Sequence, residues 1–184
     1  MKVQIKEVRL SFPQLFEPKT VGGEGEPRFS AAFVIVPGST NAQALDAAIE
    51  AAAKEKWKDK AAGILKELRS KGRVCFQHAP LSKDGEVYEG FENMYALNAT
   101  NKVRPLVVDR DKTPLTQADG RPYSGCYVNV NVEVWAMDNQ YGKRINATLM
   151  GVQFCRDGDA FGGGRTSSVD DFDDLGSLPA EELV

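Results

Sequence analysis

From Tyr127 to Trp135 the chain alternates strictly, with Val128, Val130, Val132 and Val134 set against Asn129, Asn131, Glu133 and Trp135. A period of two sends β-branched residues to one face and polar or aromatic residues to the other, so this is a half-buried strand. Asp138 to Gly142 (DNQYG) supplies turn formers, and Lys143 to Arg156 reads as the returning strand, with Ile145, Ala147 and Leu149 alternating. The pattern predicts an antiparallel hairpin within Tyr123–Arg156, valine face inward.

The same reading applied from the start gives a strand through Val3, Ile5, Val8, Leu10 and Phe12, with a bulge at Lys6-Glu7 restoring register and Pro13 ending it. Phe12 and Phe16 are expected to plug a barrel end, and Val21 to Pro27 to form a flexible loop. Arg28 to Val36 is a second, central strand stopped by Pro37-Gly38. Leu45, Ile49, Ala53, Trp57, Ala61 and Leu65 then recur every four residues, which predicts a helix, or two helices broken near Asp59–Gly63, started by a Thr40/Gln43 capping box. The interleaved lysines and acids of this region read as a solvated helical face. Short strands at Arg73–Phe76, Gly90–Lys102 and Leu106–Val108 follow, with a turn at Ser82–Gly85.

About seven short strands with one helical insertion after an early strand pair fit a mainly β fold, specifically an OB-type β-barrel. The glycine-rich Asp157–Arg165 lacks the strand-loop-helix setting of a phosphate cradle and reads as a hinge. The expected organisation is a binding domain over residues 1–160, then a Gly-rich hinge and disordered acidic C-terminal tail over 161–184.

Charge sharpens that division. The net charge of −3 is uneven, because Asp170, Asp171, Asp173, Asp174, Glu181 and Glu182 lie in a tail without Lys or Arg. Removing these 6 from the 26 acids leaves 20 against 23 basic residues, so Met1–Val169 carries +3. A mildly basic body with an acidic arm points to an anionic ligand and an intramolecular competitor. No run of 18 apolar residues and no signal-peptide segment is present, so a cytoplasmic protein is expected. Cys75, Cys126 and Cys155 are widely spaced and His78 is the sole histidine. They suggest neither a disulfide framework nor a metal site, and Cys126 and Cys155 read as small core residues.

The hairpin's decoration carries the chemistry. Aromatic and cationic residues interleave there, the combination that single-stranded nucleic acid needs, since bases stack on rings while cations neutralise phosphates. The candidates for stacking are Tyr123, Tyr127, Trp135, Tyr141 and Phe154. Those for phosphate are Lys102, Arg104, Arg110, Arg121, Lys143, Arg144 and Arg156. Asp109, Asp111, Asp119 and Asp138 support an alternative, a Mg²⁺-dependent nuclease or phosphotransferase, although DRD, ADG and MDN also read as turns. A structural virion or adaptor protein is the third reading.

The run Arg104 to Gly164, together with SFPQLFEP at Ser11–Pro18, resembles a family of tailed-phage single-stranded DNA-binding proteins with an OB fold and an acidic C-terminal tail. The resemblance implies a non-enzymatic binder without strong sequence preference, acting in phage replication or recombination and needing no cofactor or metal. Its partners would be single-stranded DNA and, through the tail (Asp170, Asp171, Phe172, Asp173, Asp174, Glu181, Glu182 and Val184), replication or recombination proteins. A homodimer stays open, no membrane is involved, and the location would be the host cytoplasm.

Overall fold

The computed structural model describes residues 1–21, 24–161 and 172–177. In chain order the elements are β1 (Lys2–Val21), β2 (Glu24–Ile35), α1 (Thr40–Trp57), α2 (Ala61–Ser70), β3 (Phe76–Gln77), β4 (Ser82–Lys83), β5 (Glu86–Val87), β6 (Tyr95–Asn101), β7 (Leu106–Val108), β8 (Tyr127–Asn139) and β9 (Gly142–Arg156). The main sheet has the order β3-β6-β2-β1-β8-β9-β7, and a parallel bridge between Thr100 of β6 and Thr148 of β9 closes it. Five strands therefore form a closed OB-like barrel, with the helices inserted between its second and third strands.

The valine alternation appears as expected: Val128, Val130, Val132 and Val134 are buried with Ile5, Leu10, Phe33, Ile35, Leu97, Ile145 and Leu149 inside the barrel. Burying such side chains fully stabilises by ~1.5–3 kcal/mol each before chain entropy is counted. The α1 stripe Leu45, Ile49, Ala53 and Trp57 is buried too, and α1 packs against β1 and β8. Its start lies one residue earlier than the sequence suggests: the Ser39 hydroxyl accepts from the Ala42 N–H at 3.2 Å, while Gln43 Nε2 donates to the Gly38 carbonyl. The break expected near Asp59–Gly63 begins at Lys58, which has φ +52 and starts a 3₁₀ turn.

Two expectations for β1 are corrected. Pro13 does not end the strand, which continues to Val21 as one side of a long hairpin with β2. The ladder passes from Ser11↔Ala32 to Gln14↔Ser30, so β1 carries an extra residue there, and a bulge is where a strand tolerates proline. The stretch read as a flexible loop is partly strand, β2 starting at Glu24. The bulge near Lys6-Glu7 is present, with a register shift between Ile5 and Val8 and Glu7 at φ +51.

A second apolar cluster lies on the barrel's outer face. Ala32, Val34, Phe91 and Ala96 are buried there, covered by Leu81, Tyr88, Met94 and Phe161. The loop between β3 and β6, including the small β4-β5 hairpin turning at Asp84-Gly85, thus roofs part of the β2-β6 surface. Of the tail residues singled out above, Phe172, Asp173 and Asp174 are described and exposed. Asp170, Asp171, Glu181, Glu182 and Val184 lie outside the described residues, as do residues 162–165 of the glycine-rich segment.

Candidate nucleic-acid interface

The hairpin candidates do not form one surface. At ~3.3 Å per residue, Tyr127 and Trp135 stand roughly 26 Å apart along β8. At the turn end, Tyr141 is 78% exposed and sits with Lys143 beside Ile64, Leu68 and Arg73. Lys143 Nζ lies 4.0 Å from Asp138, Arg144 is exposed, and Trp135 Nε1 donates to Thr148 Oγ1 at 3.0 Å. Phe154 is a correction: it is 8% exposed, belongs to the barrel core and offers no open ring face. Arg121 lies 5.9 Å from its ring centroid and is held by Asp109 at 2.7 Å, while Arg110 Nη1 donates to the Cys155 carbonyl.

At the open end of the hairpin the sheet brings together residues far apart in sequence. Ala96↔Val34, Val34↔Arg9, Arg9↔Tyr127 and Tyr127↔Arg156 are consecutive cross-strand partners, a single row over β6, β2, β1, β8 and β9. The Arg156 guanidinium lies 3.6 Å from the Tyr127 ring centroid and that of Arg9 5.7 Å from it. Arg9 also covers the Phe161 ring at 4.1 Å and donates to the carbonyls of Gly125 and Asp159. Tyr123 Oη donates to Asp157 Oδ1 at 2.7 Å, and partial burial together with that carboxylate raises the phenol's pKa.

The chain leaving β9 therefore lies back across this row. Gly125, at φ +106, and Gly158 approach each other so closely that a Cβ on either would overlap the facing backbone. A Cβ on Gly90 would likewise overlap the Phe161 ring. The Phe161 N–H donates to the Ser124 carbonyl at 3.0 Å. Residues 157–161 are a packed strap, not the free hinge expected of a glycine-rich exit.

A groove of about 430 Å³ opens on the outer face of β2 and β6 beside this strap. Ser30, Ala32, Asn98 and Thr100 form a floor of short side chains, and Phe12, Leu81, Lys83 and Tyr88 stand around it. Phe12 comes from the β1 bulge at φ +49, which turns its ring out of the barrel to 47% exposure. It meets Tyr88 edge-on, centroids 4.8 Å apart. The expectation that Phe12 plugs the barrel end is thus overturned, while Phe16 does pack against the core. Cations gather at the groove's far end: Lys19 and Arg28 are exposed cross-strand partners, Lys102 Nζ pairs with Glu26 at 2.8 Å and thereby lowers that carboxyl's pKa, and Arg104 covers Phe16 at 5.3 Å. Strands two and three of an OB barrel, with the loops joining strands one to two and four to five, commonly receive oligonucleotides. Sequence reasoning missed Arg9, Phe12, Lys83, Tyr88 and Phe161; the one visible signal was an aromatic beside a proline inside an otherwise alternating strand.

Each carboxylate of the nuclease reading is already engaged in hydrogen bonds. Hydrogen bonds from Arg121 hold Asp109 below its ordinary pKa, and those from Thr113 and Thr116 do the same for Asp111 and Asp119. Asp138 accepts from Trp57 Nε1 at 2.9 Å. Among the described residues no three His, Cys, Asp or Glu converge in metal-binding geometry. The cysteines are unpaired, and burial pushes the thiols of Cys75 and Cys126 up to about 12 and about 11.

Residues 1–183 match the family model described as Enterobacter phage Enc34, ssDNA-binding protein. The chain belongs to this family. It is 45% identical over 189 residues to protein p50 of Acyrthosiphon pisum secondary endosymbiont phage 1, covering 100% of this chain and 99% of that one. Among solved structures, the single-stranded DNA-binding protein from bacteriophage Enc34 in complex with ssDNA matches with a TM-score of 0.73 and 25% identity, over 88% of this chain and 89% of that one. The T7-encoded single-stranded DNA-binding protein gp2.5 shares the fold alone, with a TM-score of 0.58 at 11% identity over 91% and 97%. Among the described residues no helix is long and apolar enough to cross a membrane.

Proposed function

We propose that the chain binds single-stranded DNA with little sequence preference and protects it during phage replication or recombination in the host cytoplasm. It is a binding protein rather than an enzyme, as its family and structural neighbours are. The observation that carries the reading is the groove between Phe12, Tyr88 and Lys83 on the β2-β6 face. Its floor of small side chains leaves room for bases, and two rings stand ready at its edge. Lys19, Arg28, Lys102 and Arg104 continue the path along the β1-β2 arm, where phosphates would replace the Glu26 carboxylate on Lys102. Arg9, Tyr127 and Arg156 form a second contact row next to the strap. The separate turn-end group of Trp135, Tyr141, Lys143 and Arg144 is a less central contact in this reading.

The acidic tail competes with DNA for these cations and recruits replication or recombination proteins through its apolar residues. The test is a titration of a labelled oligo(dT) short enough to hold one molecule, at several salt concentrations, on the full chain and on a form lacking Asp170–Val184. The logarithm of the affinity falls linearly with log salt, with a slope of ~0.7 per neutralised phosphate. Deletion of the tail tightens binding at low salt. A salt-independent affinity refutes the phosphate path, and weaker binding after deletion refutes the competitor.

A further inference from the structure

The DNA-binding reading leaves one large feature unused: a groove of about 740 Å³ between α1 and α2. The two helices run antiparallel around the 3₁₀ turn at Lys58–Lys60 and are tied at their far ends by Arg69 to Asp46 at 3.2 Å. Small residues keep the space between them open. Ala53 and Leu65 lie at its floor and Ala62 at its lip. Lys54, Lys58 and Lys66 stand on its rim with Arg69, against only Glu50 and Asp59. An apolar floor under a predominantly basic rim fits a peptide that is both acidic and apolar.

The chain carries such a peptide. Asp170–Val184 holds six acids, no Lys or Arg, and apolar residues at Phe172, Leu175, Leu178 and Leu183. Phe172 and Leu175 are exposed at 73% and 94%, so the surface of their own molecule leaves them uncovered. We infer that the α1-α2 groove receives the acidic tail of a second copy of this chain, linking neighbouring molecules. The groove is lined wholly by helix residues and the DNA groove by sheet and loop residues, so the two sites share no side chain. The inference rests on the DNA-binding reading only in giving this link a use: molecules joined tail to groove coat a strand cooperatively.

The experiment uses the full chain and a fluorescein-labelled peptide of Asp170–Val184. Peptide binding is followed by anisotropy, self-association by sedimentation velocity, and DNA binding separately with a short oligo(dT) that holds one molecule. The Lys54→Glu/Lys58→Glu/Lys66→Glu variant changes exposed helix residues and is checked for fold by circular dichroism. The expected result is a wild-type chain that self-associates and is dissociated by the peptide. The triple variant binds the peptide at least tenfold more weakly, stays monomeric and holds the short oligonucleotide within twofold of wild type. A peptide with Asp173→Lys and Asp174→Lys recovers affinity for the triple variant, which a mere loss of fold would not allow. Three outcomes overturn the inference: peptide affinity unchanged by the triple variant but reduced by Lys83→Glu, which places the tail on the DNA face alone; a wild-type chain that stays monomeric while the groove binds peptide, which makes the contact internal; and a wild-type chain with no peptide affinity. None depends on whether DNA binds.

Discussion

Replacing Phe12 by glycine separates the binding role of this residue from any structural one. The ring is 47% exposed and touches Tyr88 edge-on at 4.8 Å, a contact worth ~0.5–1.5 kcal/mol. Against that loss, Phe12 holds φ +49, a left-handed conformation that costs an L-residue roughly 1–2 kcal/mol and glycine almost nothing. Glycine's greater freedom in the unfolded chain costs the variant about 0.5–1 kcal/mol. Loss of the half-buried ring's apolar area takes about 1 kcal/mol more, so stability should fall by about 1–2 kcal/mol, or ~2–8 °C in Tm for a chain of this size. Binding should respond quite differently. Loss of one stacked base costs ~1–3 kcal/mol, which at 1.4 kcal/mol per factor of ten is roughly a 5- to 150-fold weaker Kd. Anisotropy of labelled oligo(dT) at fixed salt and calorimetry on the same preparations provide the two numbers. A Phe12→Gly variant whose Tm stays within this range and which binds within twofold of wild type would show that no base stacks on Phe12.

Three further outcomes follow from particular contacts. Phe154→Ala empties a core position and should cost ~3–5 kcal/mol, seen as a Tm lower by roughly 6–20 °C, with DNA affinity little changed at temperatures where the fold persists. Gly125→Ala sets a methyl against the strap backbone at φ +106 and should destabilise by ~1–3 kcal/mol in a denaturant titration, whereas an alanine at exposed Gly63, with open space around it, should not. Asp109 is kept ionised by Arg121, so its contribution to stability is complete above its ordinary pKa of ~3.9 and is lost as pH falls through its lower folded value. Asp109→Asn should accordingly flatten the acid limb of a Tm-against-pH profile and leave the neutral region less stable.

The sequence shows a barrel but hides its binding face, and two bulges explain much of why. Ile145, Ala147 and Leu149 set an odd-numbered inward face on β9, from which Phe154 and Arg156 both look outward. The ladder slips at Met150, between Val132↔Leu149 and Asn131↔Gly151, and the parity inverts, which turns Val152 and Phe154 into the core. It slips again at Cys155, so Arg156 returns to the outside opposite Tyr127. One-residue slips carry no compositional signal, yet each reverses every side chain after it. Phe12 is concealed in the same way, since a proline that would end most strands sits here in a bulge. Arg9 looks like an ordinary strand cation until β1 is placed between β2 and β8. The alternation of β8, the helix stripe and the turn chemistry were legible because each depends on neighbours within a few residues.

The strap of residues 157–161 sets where this chain can be cut. Phe161 covers Val34 and Ala96, and Gly158 seats against Gly125, so the folded body does not finish with the last residue of its last strand. A fragment ending at Arg156 would bare that apolar patch to water and invite aggregation. One ending just beyond Phe161 keeps the patch sealed while discarding the whole acidic arm. Fusions and labels belong after that point, and a library of shortened forms should show an abrupt loss of yield once Phe161 is removed.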